Sequence, residues 1–152
     1  MKKSFTWLIP AVILLICIAC SKKGSTTETP PVTIPDTTKP VINLIDPTVG
    51  KLFVLGSTLH LQMDLSDNVE LKSYKVTISK SQKGVQTSDW AYANTWILAT
   101  GKKSITINHS EILVPLTVTG NQTTTGNYDM LITCTDLAGN EMLTTVTIAL
   151  TK

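Results

Sequence analysis

The chain has 152 residues, and its thirteen basic residues, all lysines, stand against eleven acidic ones. That is enough chain for one domain with a real core. The near-neutral charge and the absence of arginine set aside nucleic-acid and polyphosphate binding, which call for a basic patch with guanidinium forks.

In chain order, Lys2 and Lys3 form a positive start, and the uncharged run from Phe5 to Ala19 is shorter than the roughly 20 residues of a membrane span. This is the pattern of a cleaved signal. The small residue Ala19 before Cys20 suits a peptidase that cuts at a small side chain and leaves a thiol to carry lipid. The segment resembles a bacterial lipobox, with Cys17 where Leu is usual. The expected organisation is a lipoprotein signal peptide at 1–19, a lipidated Thr/Pro-rich linker at 20–38 and a β-sandwich domain at 39–152. Acyl chains on Cys20 then anchor the protein, each buried methylene contributing about 0.8 kcal/mol. Loss of Lys2 and Lys3 with the signal leaves a neutral mature chain.

The linker, SKKGSTTETPPVTIPDTTKP, carries four prolines and no apolar periodicity, which favours an extended tether. Short runs of period two follow, separated by Gly, Asn and Asp. Val41 to Ile45 begins them. Leu59, Leu61, Met63 and Leu65 alternate with polar residues, as do Tyr74, Val76 and Ile78. A weaker strand or two is expected in Thr95 to Asn108. Ile112, Val114, Leu116 and Val118 share one face, then Tyr128, Met130, Ile132 and Cys134, then Val146, Ile148 and Leu150. About seven alternating strands and no competing amphipathic helix predict an all-β, immunoglobulin-like sandwich of antiparallel strands.

Local chemistry supports the turns. Ser66-Asp67-Asn68 and Asp136-Leu137-Ala138-Gly139-Asn140 supply the side-chain bonds and left-handed positions of tight turns, with Asp67 and Asp136 as caps. Thr124 to Tyr128 has the shape of a tyrosine corner, in which the phenol bonds back to nearby backbone.

These stretches, with Asp36-Thr37-Thr38-Lys39-Pro40-Val41-Ile42 and Pro47-Thr48-Val49-Gly50, resemble bacterial immunoglobulin-like domains. They are most similar to a lipid-anchored Bacteroidetes group grouped as a domain of unknown function. The resemblance covers about Asp36 to Leu150 and implies a cell-envelope lipoprotein of the outer membrane. Surface-exported relatives tend to carry acidic residues after the lipidated cysteine; Ser21-Lys22-Lys23-Gly24 has none, which points to the periplasmic face. Members of the group often have histidines in the loop after the strand of Tyr74, whereas Ser79 to Asp89 has none. The antibody-type cysteine pair and its Trp are also missing: Cys134 has no partner in the mature chain, and its apolar alternation predicts a buried, inert thiol.

Catalysis needs positioned acid-base or nucleophilic groups. The two histidines are expected to face solvent, His60 on the outward face of its strand and His109 in a turn beside Asn108 and Ser110. The Ser110, His109 and Glu111 set is adjacent in sequence and so ill-placed to converge. No enzyme is expected, and no cofactor. Calcium is the metal to consider, with Asp67, Asn68, Asp136 and Asn140 as hard-oxygen candidates, although turn chemistry accounts for the same residues. Trp90, Tyr92 and Trp96 lie in a stretch read as a loop: exposed, they would stack on a glycan or meet a protein partner, and buried, they would fill the core. The expected function is a membrane-anchored interaction or spacer module, the alternative a lipoprotein binding glycan or calcium.

Overall fold

A computed structural model describes residues 34–82 and 86–152. The signal peptide, Cys20 and most of the linker read from the sequence lie outside the described residues. Seven strands run for six residues or more: β1 (Val41–Asp46), β3 (Thr58–Ser66), β4 (Leu71–Lys80), β5 (Tyr92–Ile97), β6 (Ser104–Leu113), β9 (Gly126–Asp136) and β10 (Glu141–Thr151). Three short ones join them: β2 (Leu52–Val54), β7 (Thr117–Val118) and β8 (Asn121–Gln122).

The strands form two sheets, ordered β1-β3-β6 and β2-β10-β9-β4-β5, with β7 and β8 as a small separate hairpin. All pairings are antiparallel except that of β2 with β10. The molecule is an all-β immunoglobulin-like sandwich. Its inner faces are the alternating residues of the sequence pattern: Leu59, Leu61, Met63 and Leu65 from one sheet meet Val76, Ile78, Met130, Ile132 and Ile148 from the other, each at most 1 % exposed. Burial of side chains of this size contributes about 1.5–3 kcal/mol apiece, and this apolar face fixes the register, because a one-residue slip would turn every Leu outward.

Two segments depart from the sequence expectation. Ile112 to Val118 is not one strand: β6 ends at Leu113, Val114 is buried, Pro115 follows, and Leu116 is exposed. Pro115 has no N–H to continue a ladder, so the chain leaves the sheet and forms the β7–β8 hairpin, where Thr123 Oγ1 donates to the Pro115 carbonyl at 2.7 Å. His109, expected in a turn, lies inside β6. There Leu59 pairs with Ile112 while Leu61 pairs with His109, so β6 holds one extra residue in a bulge. His109 continues the inward alternation of Ile105 and Ile107, and in the bulge after it Ser110 and Glu111 both point outward.

The compact unit begins at Ile34. Asp36 and its neighbours, read as the end of the linker, are held on the sandwich: the Asp36 carbonyl accepts from Asn140 Nδ2 at 3.1 Å, and its carboxylate accepts from Asn68 Nδ2 at 3.2 Å.

Candidate functional site

Trp90, Tyr92 and Trp96 do not form an exposed loop. Tyr92 and Trp96 belong to β5, the edge of the larger sheet. Trp90 is only 5 % exposed and lies 6.2 Å, centroid to centroid, from both Tyr92 and Tyr128. Trp96 is half-buried, stacked on Tyr74 at 5.0 Å and 11° and tilted against His109 at 4.6 Å. Trp90 is thus a core residue, while Tyr92 and Trp96 keep part of their surface on the edge strand. The sequence pattern caught only the end of β5, within the weaker strand expected from Thr95, because its residues are mostly exposed along an edge and carry no clean alternation.

His60 faces outward as expected, with its side chain 41 % exposed, whereas His109 does not face solvent. His109 is 14 % exposed in its side chain. Its Nε2 lies 2.6 Å from the Tyr74 hydroxyl and its Nδ1 pairs with the Glu111 carboxylate. Burial, with the nearby Glu111 charge and Tyr92, pushes the Tyr74 phenol up to about 12. Desolvation alone would raise Glu111, but backbone donors at Glu111 and Ser110 and the charge of His109 outweigh it and hold the carboxyl below its ordinary value. His60 does point outward, yet it bridges three strands: Nδ1 lies 3.0 Å from Asp46 Oδ2 on β1 and Nε2 lies 2.7 Å from Asn108 Oδ1 on β6. Lys51 Nζ donates to both Asp46 oxygens at 2.6 and 2.7 Å. Partial burial pulls Asp46 upward, and the bonds from Lys51 and His60 prevail, leaving its carboxyl below 3.8.

A groove of about 470 Å³ runs along β3 and β6, lined by Asp64, Ser66, Ser104 and Thr106 among others. Its one carboxylate is already used, since Asp64 Oδ1 accepts from Thr106 Oγ1 at 2.7 Å. Cys134 is buried between the sheets, where desolvation, and then Asp67 and Asp136, push its thiol up to about 11. A thiol held protonated in this way is a poor nucleophile.

The acidic turns give the densest set of polar side chains. Asp67 follows β3, and its Oδ2 accepts the N–H groups of Val69 and Glu70 at 2.7 and 2.9 Å. Asp136, fully buried at the end of β9, accepts the Asn140 N–H and Asn140 Nδ2, both at 2.7 Å. Both caps were legible in the sequence. Gly139 takes the left-handed position of that turn, at φ 94°. Asn68 and Asn140, expected as oxygen donors, instead turn their Nδ2 groups toward carboxylate oxygens. The residue the sequence did not single out is Asp36, whose Oδ1 accepts the Thr38 N–H at 3.0 Å. That bond leads the effects holding its carboxyl below 3.8. Ligand oxygens of Asp36, Asp67 and Asp136 all lie within 4.8 Å of one another. The sequence signals for Asp36 are a turn-type Asp ahead of Thr-Thr and its place at the start of the stretch that carries the family resemblance, and neither marks it as a ligand.

No curated protein matches this chain. Among solved structures it is similar to the fibronectin(III)-like modules of Clostridium thermocellum CbhA, at 9 % identity and TM-score 0.38, over 72 % of this chain and 94 % of that one. The sporulation control protein Spo0M of Bacillus subtilis aligns at 11 % identity and TM-score 0.38, over 75 % of this chain and 49 % of that one. A beta-glucosidase from Listeria innocua aligns at 12 % identity and TM-score 0.35, over 72 % of this chain but only 16 % of the enzyme. A family model matches residues 18–151, which include every strand of the sandwich and the segment before it, and the chain therefore belongs to the family described as a domain of unknown function (DUF4625).

Proposed function

We propose that this chain is a non-catalytic immunoglobulin-like interaction or spacer module, held by lipid on Cys20 at the periplasmic face of an outer membrane. The observation that carries the non-catalytic reading is the internal use of both imidazoles: each ring nitrogen of His60 and His109 already faces a protein partner. A general base must reach a substrate proton, and the groups on the outer nitrogens here are the buried Tyr74 phenol and the Asn108 amide, neither of which is a nucleophile open to substrate. The anchor reading is supported by the sequence alone, through the basic start, the short apolar run and the Ala19-Cys20 junction. A neutral sandwich on a proline-rich tether suits a module that reaches a protein partner at a distance from the lipid.

The test is fractionation of cells making the native chain and Cys20→Ala. The native protein should partition with membranes and into detergent, and the variant should appear in the soluble extract. Retention of the variant in the membrane fraction would overturn the lipid anchor. Chemical crosslinking in the intact envelope should then capture a protein neighbour, and a module crosslinking only to itself would refute the partner reading.

A further inference from the structure

Three aspartates distant in sequence meet at one end of the sandwich: Asp36 from the lead into β1, Asp67 directly after β3, and Asp136, the last residue of β9. Like charges gathered within 4.8 Å repel, and among the described residues none of the three is in an ion pair. Turn chemistry accounts for Asp67 Oδ2, Asp36 Oδ1 and both oxygens of Asp136, all of which accept hydrogen bonds. It does not account for Asp36 Oδ2 and Asp67 Oδ1. Each of these oxygens exposes less than 1 Å² and has no hydrogen-bond donor. A carboxylate oxygen stripped of both water and donors is costly, and the usual compensation is a cation. Among the described residues one other side-chain atom is in this state, Asp89 Oδ1, which lies outside the cluster.

We infer that Asp36, Asp67 and Asp136 form a calcium site that clamps the lead into β1 onto the turns following β3 and β9. The donors are hard oxygens, with no sulfur or imidazole in the set, which fits calcium and disfavours zinc. Calcium–oxygen distances of about 2.3–2.6 Å place two ligands at most about 5 Å apart across the ion, so three oxygens within 4.8 Å of one another fit its shell. The site ties together three stretches of chain, so its occupancy couples to folding rather than to any reaction. It does not depend on the lipid anchor or on the interaction-module reading.

The test is calorimetric titration of calcium into the chelator-treated full chain in mild detergent, with magnesium as a parallel titrant and thermal melts alongside. We expect one site per chain, a dissociation constant of about 10⁻⁵ to 10⁻³ M, and a melting temperature that climbs with calcium as mass action requires. Asp36→Asn should weaken calcium binding at least about tenfold. It should leave the melting temperature in chelator equal or higher, since one of three repelling charges is removed. This variant keeps the test decisive even where Asp136→Asn fails to fold. Asp89→Asn should bind calcium like the native chain. The inference falls if millimolar calcium gives neither heat nor a shift in melting temperature, which would mark the orphaned oxygens as occupied by water. It also falls if Asp36→Asn and Asp67→Asn both bind as the native protein does, and the calcium assignment falls if magnesium binds as tightly.

Discussion

Tyr128 shows how much one hydroxyl can organise. The ring is fully buried, its hydroxyl donates to the Thr124 carbonyl at 2.7 Å and accepts the Trp90 N–H at 3.3 Å, and Lys80 Nζ lies 4.6 Å from the ring centroid. This is the tyrosine corner expected from Thr124 to Tyr128. The bond uses the backbone of Thr124, while its side chain meets Ser88 Oγ at 2.8 Å, so a Thr where immunoglobulin domains usually have Asp does not break the corner. Tyr128→Phe keeps the ring and leaves a carbonyl and an N–H without their partner. It should therefore cost about 1–3 kcal/mol, read as a lower urea midpoint at unchanged slope. An unchanged midpoint would mean that water replaces the hydroxyl at no cost.

At the scale of elements, the edge strands β5 and β6 of the two sheets meet through side chains rather than backbone. Trp96 packs on both Tyr74 of β4 and His109 of β6, which are themselves 6.0 Å apart, so one half-buried indole covers the seam where, among the described residues, neither sheet has a further strand. Trp96→Ala should cost about 2–4 kcal/mol, below the range for a fully buried Trp because part of the ring is already wet. Its neighbour Ile97 is 76 % exposed, and Ile97→Ala should change stability by no more than about 0.5 kcal/mol. Denaturant melts of the two variants compare them directly. Equal losses would show that β5 is held by its ladder with β4 and not by the indole.

Over the whole molecule, closing one sheet on the other makes stability fall at alkaline pH, with the Tyr74 phenol contributing beside the Cys134 thiol, which is raised from 9.0 to about 11. Burial first, then the Glu111 charge and Tyr92, raise the Tyr74 phenol from 10.0 to about 12. A group raised on folding favours the folded state fully while it is protonated in both states. That contribution is complete below pH 10.0 and is lost as pH rises toward about 12. The urea midpoint should fall through this window, and Tyr74→Phe, which has no proton to lose, should show a shallower fall. Parallel curves for the two proteins would place the alkaline loss elsewhere.

What the sequence determined by itself is the part governed by short-range periodicity. The alternation of Leu59 to Leu65, Tyr74 to Ile78, Tyr128 to Cys134 and Val146 to Leu150 named the inner faces, because a two-residue repeat maps directly onto the two sides of a strand. The caps at Asp67 and Asp136 were equally legible, since an Asx turn is complete within a few residues. Only the tertiary structure decided the rest. His109 keeps the inward phase of Ile105 and Ile107, and the bulge that follows it resets the alternation so that Ile112 is inward again, a change that depends on pairing with β3. Trp90 and Trp96 became core and seam because β5 found β4, not because of their own neighbours. Asp36 joins Asp67 and Asp136 only once strands far apart in the chain are folded side by side. Periodicity is a property of adjacent residues, whereas a cluster drawn from three distant stretches exists only when long-range strand pairing brings their ends together.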